Sequence, residues 1–113
     1  MNDVLRLLLI DEGYKAIAAD DLDAAVHLLS SIKVDLLISN YMEPAYERNG
    51  RWPVLELFKS LAHPDTPIIV LTSSPEELRQ NARQLGVASL VGKPFVLDEL
   101  LPLISQALER GGR

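Results

Sequence analysis

Four apolar residues in a row, Ile68-Ile69-Val70-Leu71, sit between Pro67 and Thr72. A run this short, bounded by a proline and rich in β-branched residues, reads as a strand. No polar residue alternates with the apolar ones, so the strand is expected to be covered on both faces. Such strands belong to parallel sheets, whose crossover helices lie on the two faces.

The rest of the chain supplies the alternation that a parallel sheet needs. Leu5, Leu8 and Leu9 share one helical face, in a helix starting near Asn2 or Asp3 and stopping at Gly13, a residue suited to the left-handed position after a helix. Tyr14–Ala18 is a short apolar strand by composition. Asp20 or Asp21 then caps a helix in which Leu22, Ala25, Val26 and Leu29 recur at helical spacing. Residues 36–39 give the next strand, followed by a loop with Pro44, Asn49 and Gly50. Pro53 opens a helix, where its missing N–H costs nothing, and Val54, Leu57, Phe58 and Leu61 form its expected inner face.

Pro64, Asp65 and Pro67 punctuate a turn before the Ile68–Leu71 run. Ser74-Pro75-Glu76-Glu77 is a helix start with a cap, a proline at the first position and an acid at the third, leading to Leu78, Ala82, Leu85 and a stop at Gly86. Residues 87–91 form a last strand. Leu97–Leu108 form a last helix, with Pro102 inside it predicting a kink or a late start. The expectation is five helices and four strands in a doubly wound, three-layer α/β/α domain covering residues 1–113. Its crossovers should be right-handed.

Composition narrows the function. The 113 residues fit one domain. Cysteine is absent, which excludes disulfides, thiolate catalysis and Cys-ligated metals and fits a reducing cytoplasm. A formal charge of −5 with no Lys/Arg run argues against nucleic acid. Arg48 and Arg51 make only a small basic spot. No stretch is long and apolar enough for a membrane span, and no secretory signal pattern opens the chain. His27 and His63 have no Cys or second His at ligand spacing, so both read as surface or packing residues. Asp20, Asp21 and Asp23 complement a helix N-terminus, with a metal role as the lesser alternative.

The segment Val34-Asp35-Leu36-Leu37-Ile38-Ser39-Asn40-Tyr41-Met42-Glu43-Pro44, followed by Ile68–Thr72 and then by Gly92-Lys93-Pro94-Phe95, resembles the receiver domain of bacterial response regulators. The resemblance covers nearly the whole chain and implies a flavodoxin-like fold. In that family one strand ends in a phospho-accepting Asp, a later one in Thr or Ser, and a third in Lys-Pro with a cis peptide. Thr72, Lys93 and Pro94 match, but Asn40 stands at the acceptor position. Leu90 stands where many receivers place a switching aromatic residue.

The family opens with an apolar strand ending in two Mg²⁺-binding acids. Gly13-Tyr14-Lys15-Ala16-Ile17 matches the family's second strand, so residues 3–12 fall on its first helix, and the opening strand is missing. A shortened chain or a misplaced start codon is one explanation. A rival alignment makes residues 4–10 that strand and Asp11 and Glu12 its acids. It leaves too few residues before Tyr14 for a parallel crossover. Loss of a central strand predicts either direct pairing of residues 14–18 with 36–39 or a homodimer covering the gap.

An asparagine amide is neither charged nor a good nucleophile, and it adds no charge to a Mg²⁺ site. The expected function is therefore a stand-alone degenerate receiver without enzymatic activity or cofactor. It would bind a histidine kinase or another regulator without phosphorylation. Glu76, Arg79, Arg83, Leu90 and Gln106 lie on the face that receivers usually present. Lys93 would hydrogen-bond the Asn40 carbonyl or Asp35, and Trp52, beside Tyr46, would mark a partner contact or a lid. Two alternatives stay open. One is a phosphorylatable receiver with a non-standard acceptor, Glu43 or Asp35. The other is a small flavodoxin-like enzyme or nucleotide binder, for which no Gly-rich phosphate loop, nucleophile elbow or His dyad is present.

Overall fold

Ile69 and Val70 have no exposed surface, and they lie at the centre of a three-stranded parallel sheet. The computed structural model describes residues 2–40, 47–49, 51–73 and 85–111. The chain divides into two compact units, Met1–Ile32 and Lys33–Arg113.

The first unit holds helix α1 (Asn2–Asp11) and helix α2 (Leu22–Ser31). Helix α1 ends where the sequence predicts. Gly13 takes φ +97, its N–H donates to the Ile10 carbonyl at 3.0 Å, and the Tyr14 N–H donates to the Leu9 carbonyl at 3.0 Å. These paired bonds satisfy two carbonyls that the helix end leaves open. The helical state of residues 4–10 removes the rival alignment. The inner face differs from expectation: Leu9 is buried and Leu5 half-buried, whereas Leu8 is exposed. Asp21 is the cap of α2, accepting from the Ala24 N–H at 2.8 Å.

Tyr14–Ala18 is not a strand, which corrects the expected count. Among the described residues there are four helices and three strands. A strand exists only through ladder bonds to a neighbour, and residues 14–18 have no neighbouring strand in their unit. The expected direct pairing of residues 14–18 with residues 36–39 is not among the strand pairs of the sheet.

The second unit holds β1 (Leu37–Ser39), α3 (Pro53–Leu61), β2 (Ile68–Thr72), β3 (Ser89–Gly92) and α4 (Leu97–Gly111), with sheet order β1-β2-β3. The register pairs Leu37 with Ile68, Ser39 with Val70, Val70 with Leu90 and Thr72 with Gly92. All five residues of β2 are buried, as its unbroken apolar run requires. Thr66 fastens the start of the sheet, its Oγ1 donating to the Val34 carbonyl at 2.8 Å.

Helix α3 carries Pro53 at its start but packs in a different phase from the expected one. Leu55 and Phe58 are buried, Val54 and Leu61 are half-buried, and Leu57 is exposed. Leu55 joins Ile68 and Val70 in a core cluster against which Leu37, Trp52, Leu85, Val87 and Leu90 pack. Helix α4 buries Leu100, Ile104 and Ala107 at helical spacing. It starts at Leu97 and runs through Pro102, so the late start is not observed. Pro102 and Asp98, whose carbonyl would have received the missing N–H, are both exposed, and solvent can serve that carbonyl. The helix expected from Ser74 onward lies outside the described residues, apart from its end at Leu85 and Gly86. There Gly86 takes φ +68 and Lys59 Nζ donates to the Leu85 carbonyl at 2.7 Å.

Candidate functional site

Parallel strands deliver their last residues to one edge of a sheet, and open α/β folds bind ligands there. Asn40 follows β1, Thr72 closes β2, and Lys93 follows β3. The order β1-β2-β3 puts Thr72 in the middle, flanked by the other two. Strands stand about 4.8 Å apart, so the backbones of residues 40 and 93 are separated by roughly 10 Å. The Lys93 N–H donates to the Thr72 carbonyl at 2.8 Å, carrying the ladder one residue past β3. The Lys93–Pro94 peptide is cis. Asn40 and Lys93 are half-buried, and Thr72 is fully buried. No buried polar side-chain atom among the described residues lacks a hydrogen-bond partner.

The sheet therefore gathers the three residues that the sequence singled out. Their chemistry is an amide, a hydroxyl and an ammonium group. Mg²⁺ demands hard, mostly anionic oxygen ligands. Among the described residues this edge offers no carboxylate, and no group of three or more His, Asp or Glu is placed to hold a metal ion. Among the described residues the donor set does not fit that ion.

Asp35 does not reach this edge. It lies five residues before Asn40 at the opposite end of β1, roughly 16 Å away by strand rise. The expected Lys93–Asp35 hydrogen bond is thereby excluded, and Asp35 is misplaced as an acceptor. Glu43, Tyr46, Glu76, Arg79 and Arg83 lie outside the described residues. Of the remaining partner-face residues, Gln106 is exposed on α4, and Leu90 is half-buried against the core cluster. Trp52 packs on that cluster too, so it is not the exposed aromatic that a partner contact would use.

The basic spot is partly neutralised. Arg51 donates from Nε and Nη2 to Glu56 Oε1, and this bond together with the carboxylate's charge raises the already high pKa of the guanidinium. Arg48 Nη1 donates to the Glu47 carbonyl at 2.7 Å. His63 belongs to the Pro64-Asp65 turn, its Nδ1 accepting from the Asp65 N–H at 3.1 Å. His27 is exposed on α2. Sequence reasoning missed Thr66 and Lys59, whose bonds reach 32 and 26 residues along the chain and leave no local pattern.

The response regulator receiver domain model matches residues 1–105. The transcriptional regulatory protein PdtaR of Mycobacterium tuberculosis is 35% identical over 109 residues, covering 94% of this chain and 50% of that protein. GlrR of Escherichia coli K12, also a transcriptional regulatory protein, is 34% identical, covering 95% of this chain and 23% of that protein. The chain thus spans half or less of the length of these relatives. Among solved structures, the non-phosphorylated HemR receiver domain from Leptospira biflexa superposes with a TM-score of 0.75 at 23% identity, covering 95% of this chain and 84% of that one. A CheY-like receiver domain from Methanospirillum hungatei gives 0.78 at 19% identity, covering 97% and 86%. At such identities these structures speak for the fold, a parallel sheet with flanking helices. The family match and the placement of Asn40, Thr72 and Lys93 on one sheet edge lead to the same conclusion: this chain belongs to the response regulator receiver domain family of two-component signalling.

Proposed function

We propose that this receiver works as a phosphorylation-independent interaction module, a non-enzymatic domain whose acceptor position is blank. The observation that carries this reading is Asn40 just past the carboxyl end of β1, with Thr72 closing the neighbouring central strand. Phosphoryl transfer to a receiver needs a charged oxygen and a metal to neutralise the phosphoryl group. The Asn40 amide supplies neither. Lys93 then has a structural role, holding the β3 turn against Thr72 through its backbone.

The partner on this reading is a histidine kinase or another regulator, the usual partners of the family. Gln106 on α4 and the residues before Leu85 are where docking would be sought. The test is intact mass after incubation with Mg²⁺ and acetyl phosphate, with a peptide map of any adduct. The expected result is no adduct. An adduct on Glu43 would replace this reading with a phosphorylatable receiver that uses a displaced acceptor.

A further inference from the structure

Asn49 is the one asparagine of this chain that precedes a glycine; Asn2, Asn40 and Asn81 precede Asp3, Tyr41 and Ala82. It lies between β1 and α3, inside a tight turn. The Arg48 N–H donates to the Arg51 carbonyl at 2.9 Å, and the Arg51 N–H donates to the Arg48 carbonyl at 3.0 Å. Arg48 and Arg51 thus pair as an antiparallel bridge across the two residues between them. Asn49 takes φ +56, a left-handed conformation that asparagine tolerates better than most residues with a side chain.

Three properties of this turn bear on the chemistry open to Asn49. Asn49 is exposed, as are Glu47, Arg48 and Arg51, so water reaches its amide. The Arg48–Arg51 bridge stands outside the strands of the sheet, and exposed backbone bonds of that kind open locally while the domain stays folded. The residue that follows has no side chain, so no Cβ hinders its amide nitrogen. Asparagine is itself among the side chains most prone to chemical change with time and heat.

We propose that Asn49 is a site of spontaneous covalent modification in the folded chain, converting to isoaspartate and aspartate through a succinimide. When the turn opens, the amide nitrogen of residue 50 gives up its proton and attacks the Asn49 Cγ. A C–N bond forms, the bond from Cγ to the side-chain nitrogen breaks, and that nitrogen leaves with the proton as ammonia. Water then adds to either ring carbonyl and opens the ring, with no oxidant or reductant involved. Addition at Cγ gives aspartate. Addition at the backbone carbonyl gives isoaspartate, whose chain runs through Cγ and is one methylene longer. Either product adds one negative charge, next to Arg48, to a chain of formal charge −5. The longer isoaspartate backbone no longer fits the turn that the Arg48–Arg51 bridge closes. The proposal is independent of the reading of Asn40.

The test is a peptide map of the wild-type chain, held folded at mildly alkaline pH and body temperature, with a second sample kept in urea. Intact mass and anion exchange follow the conversion of amide to acid. An isoaspartyl methyltransferase marks isoaspartate by methyl transfer from S-adenosylmethionine. The folded sample should lose Asn49 from its peptide and gain isoaspartate there, with Asn2, Asn40 and Asn81 intact over the same interval. Gly50→Ala places a methyl group beside the attacking nitrogen and should slow the loss about tenfold or more. Asn49 that stays intact in the folded sample overturns the proposal, even where it converts in urea, because the turn then shields it. Conversion of Asn40 in place of Asn49 also overturns it. So does aspartate without isoaspartate, the mark of direct hydrolysis, or an equal rate in Gly50→Ala. Should that variant fail to fold, the isoaspartate content of the folded wild type decides.

Discussion

The backbone N–H of Lys93 donates to the carbonyl of Thr72 at 2.8 Å, one residue beyond the last ladder pair of β2 and β3. This bond fixes where the chain leaves the sheet and holds Lys93 at the same edge as Asn40. The arrangement of a receiver site is therefore kept by the backbone, whatever side chain stands at position 40.

Restoring the acid tests how much of the site remains. Asn40→Asp supplies a charged acceptor, but among the described residues it would be the lone carboxylate at that edge. One carboxylate is a poor hold on Mg²⁺, which transfers phosphoryl groups only when bound close by. The expected outcome is no adduct on Asn40→Asp with Mg²⁺ and acetyl phosphate. Stoichiometric phosphorylation of residue 40 would mean that the amide alone had silenced the site.

Helix α3 offers a direct test of packing phase. Phe58 is 2% exposed and Leu57 is 37% exposed. Truncating a buried aromatic costs about 3–5 kcal/mol through lost burial and the cavity left behind. Phe58→Ala should therefore lower stability by that amount in urea denaturation, and Leu57→Ala by less than about 1 kcal/mol. Equal losses would mean that Leu57, not Leu55, faces the core.

That phase was hard to read from sequence for a physical reason. Val54, Leu55, Leu57, Phe58 and Leu61 make two overlapping stripes, and only contact with the sheet decides between them. Ile68–Leu71 was legible because a strand with no polar residue has no face for solvent. Asn40, Thr72 and Lys93 were legible because they directly follow or end strands. Tyr14–Ala18 misled because its composition suits a strand, while strand formation depends on a neighbour that composition does not report. Pro102 misled because a proline whose lost bond falls on the solvent side leaves a carbonyl that water can serve.

Gly86 and Lys59 should prove coupled. Gly86 has φ +68, a conformation that side chains resist, and a Cβ there would collide with the Lys59 ammonium that holds the Leu85 carbonyl. Gly86→Ala should cost about 1–2 kcal/mol from backbone strain. It should lose further stability because Lys59 must move. Lys59→Ala alone should cost about 0.5–1.5 kcal/mol, the net worth of one hydrogen bond. The double variant should then fall short of the sum by about 0.5 kcal/mol or more, as neighbours that share one interaction do. Strict additivity in a double-mutant cycle would deny the contact.

Thr66 ties two strand entrances that are far apart in sequence. Thr66→Val keeps the shape but removes the donor to the Val34 carbonyl, and it should destabilise by about 1 kcal/mol. Thr66→Ser retains the hydroxyl and should lose less. Equal losses in chemical denaturation would assign the effect to the methyl group rather than to the bond.

Pro102 is the clearest place to gain stability. Its neighbours Leu100, Ile104 and Ala107 are buried, while Pro102 itself faces solvent within α4. A proline inside a helix costs about 3 kcal/mol relative to alanine in an unconstrained host. Part of that cost is recovered here because proline also restricts the unfolded chain. Pro102→Ala lets residue 102 donate to the Asp98 carbonyl and touches no buried side chain. It should raise stability by about 1–2 kcal/mol, read as a higher urea midpoint with an unchanged slope. A lower midpoint would mean that the ring makes a contact at the surface of α4 worth more than the helical hydrogen bond it prevents.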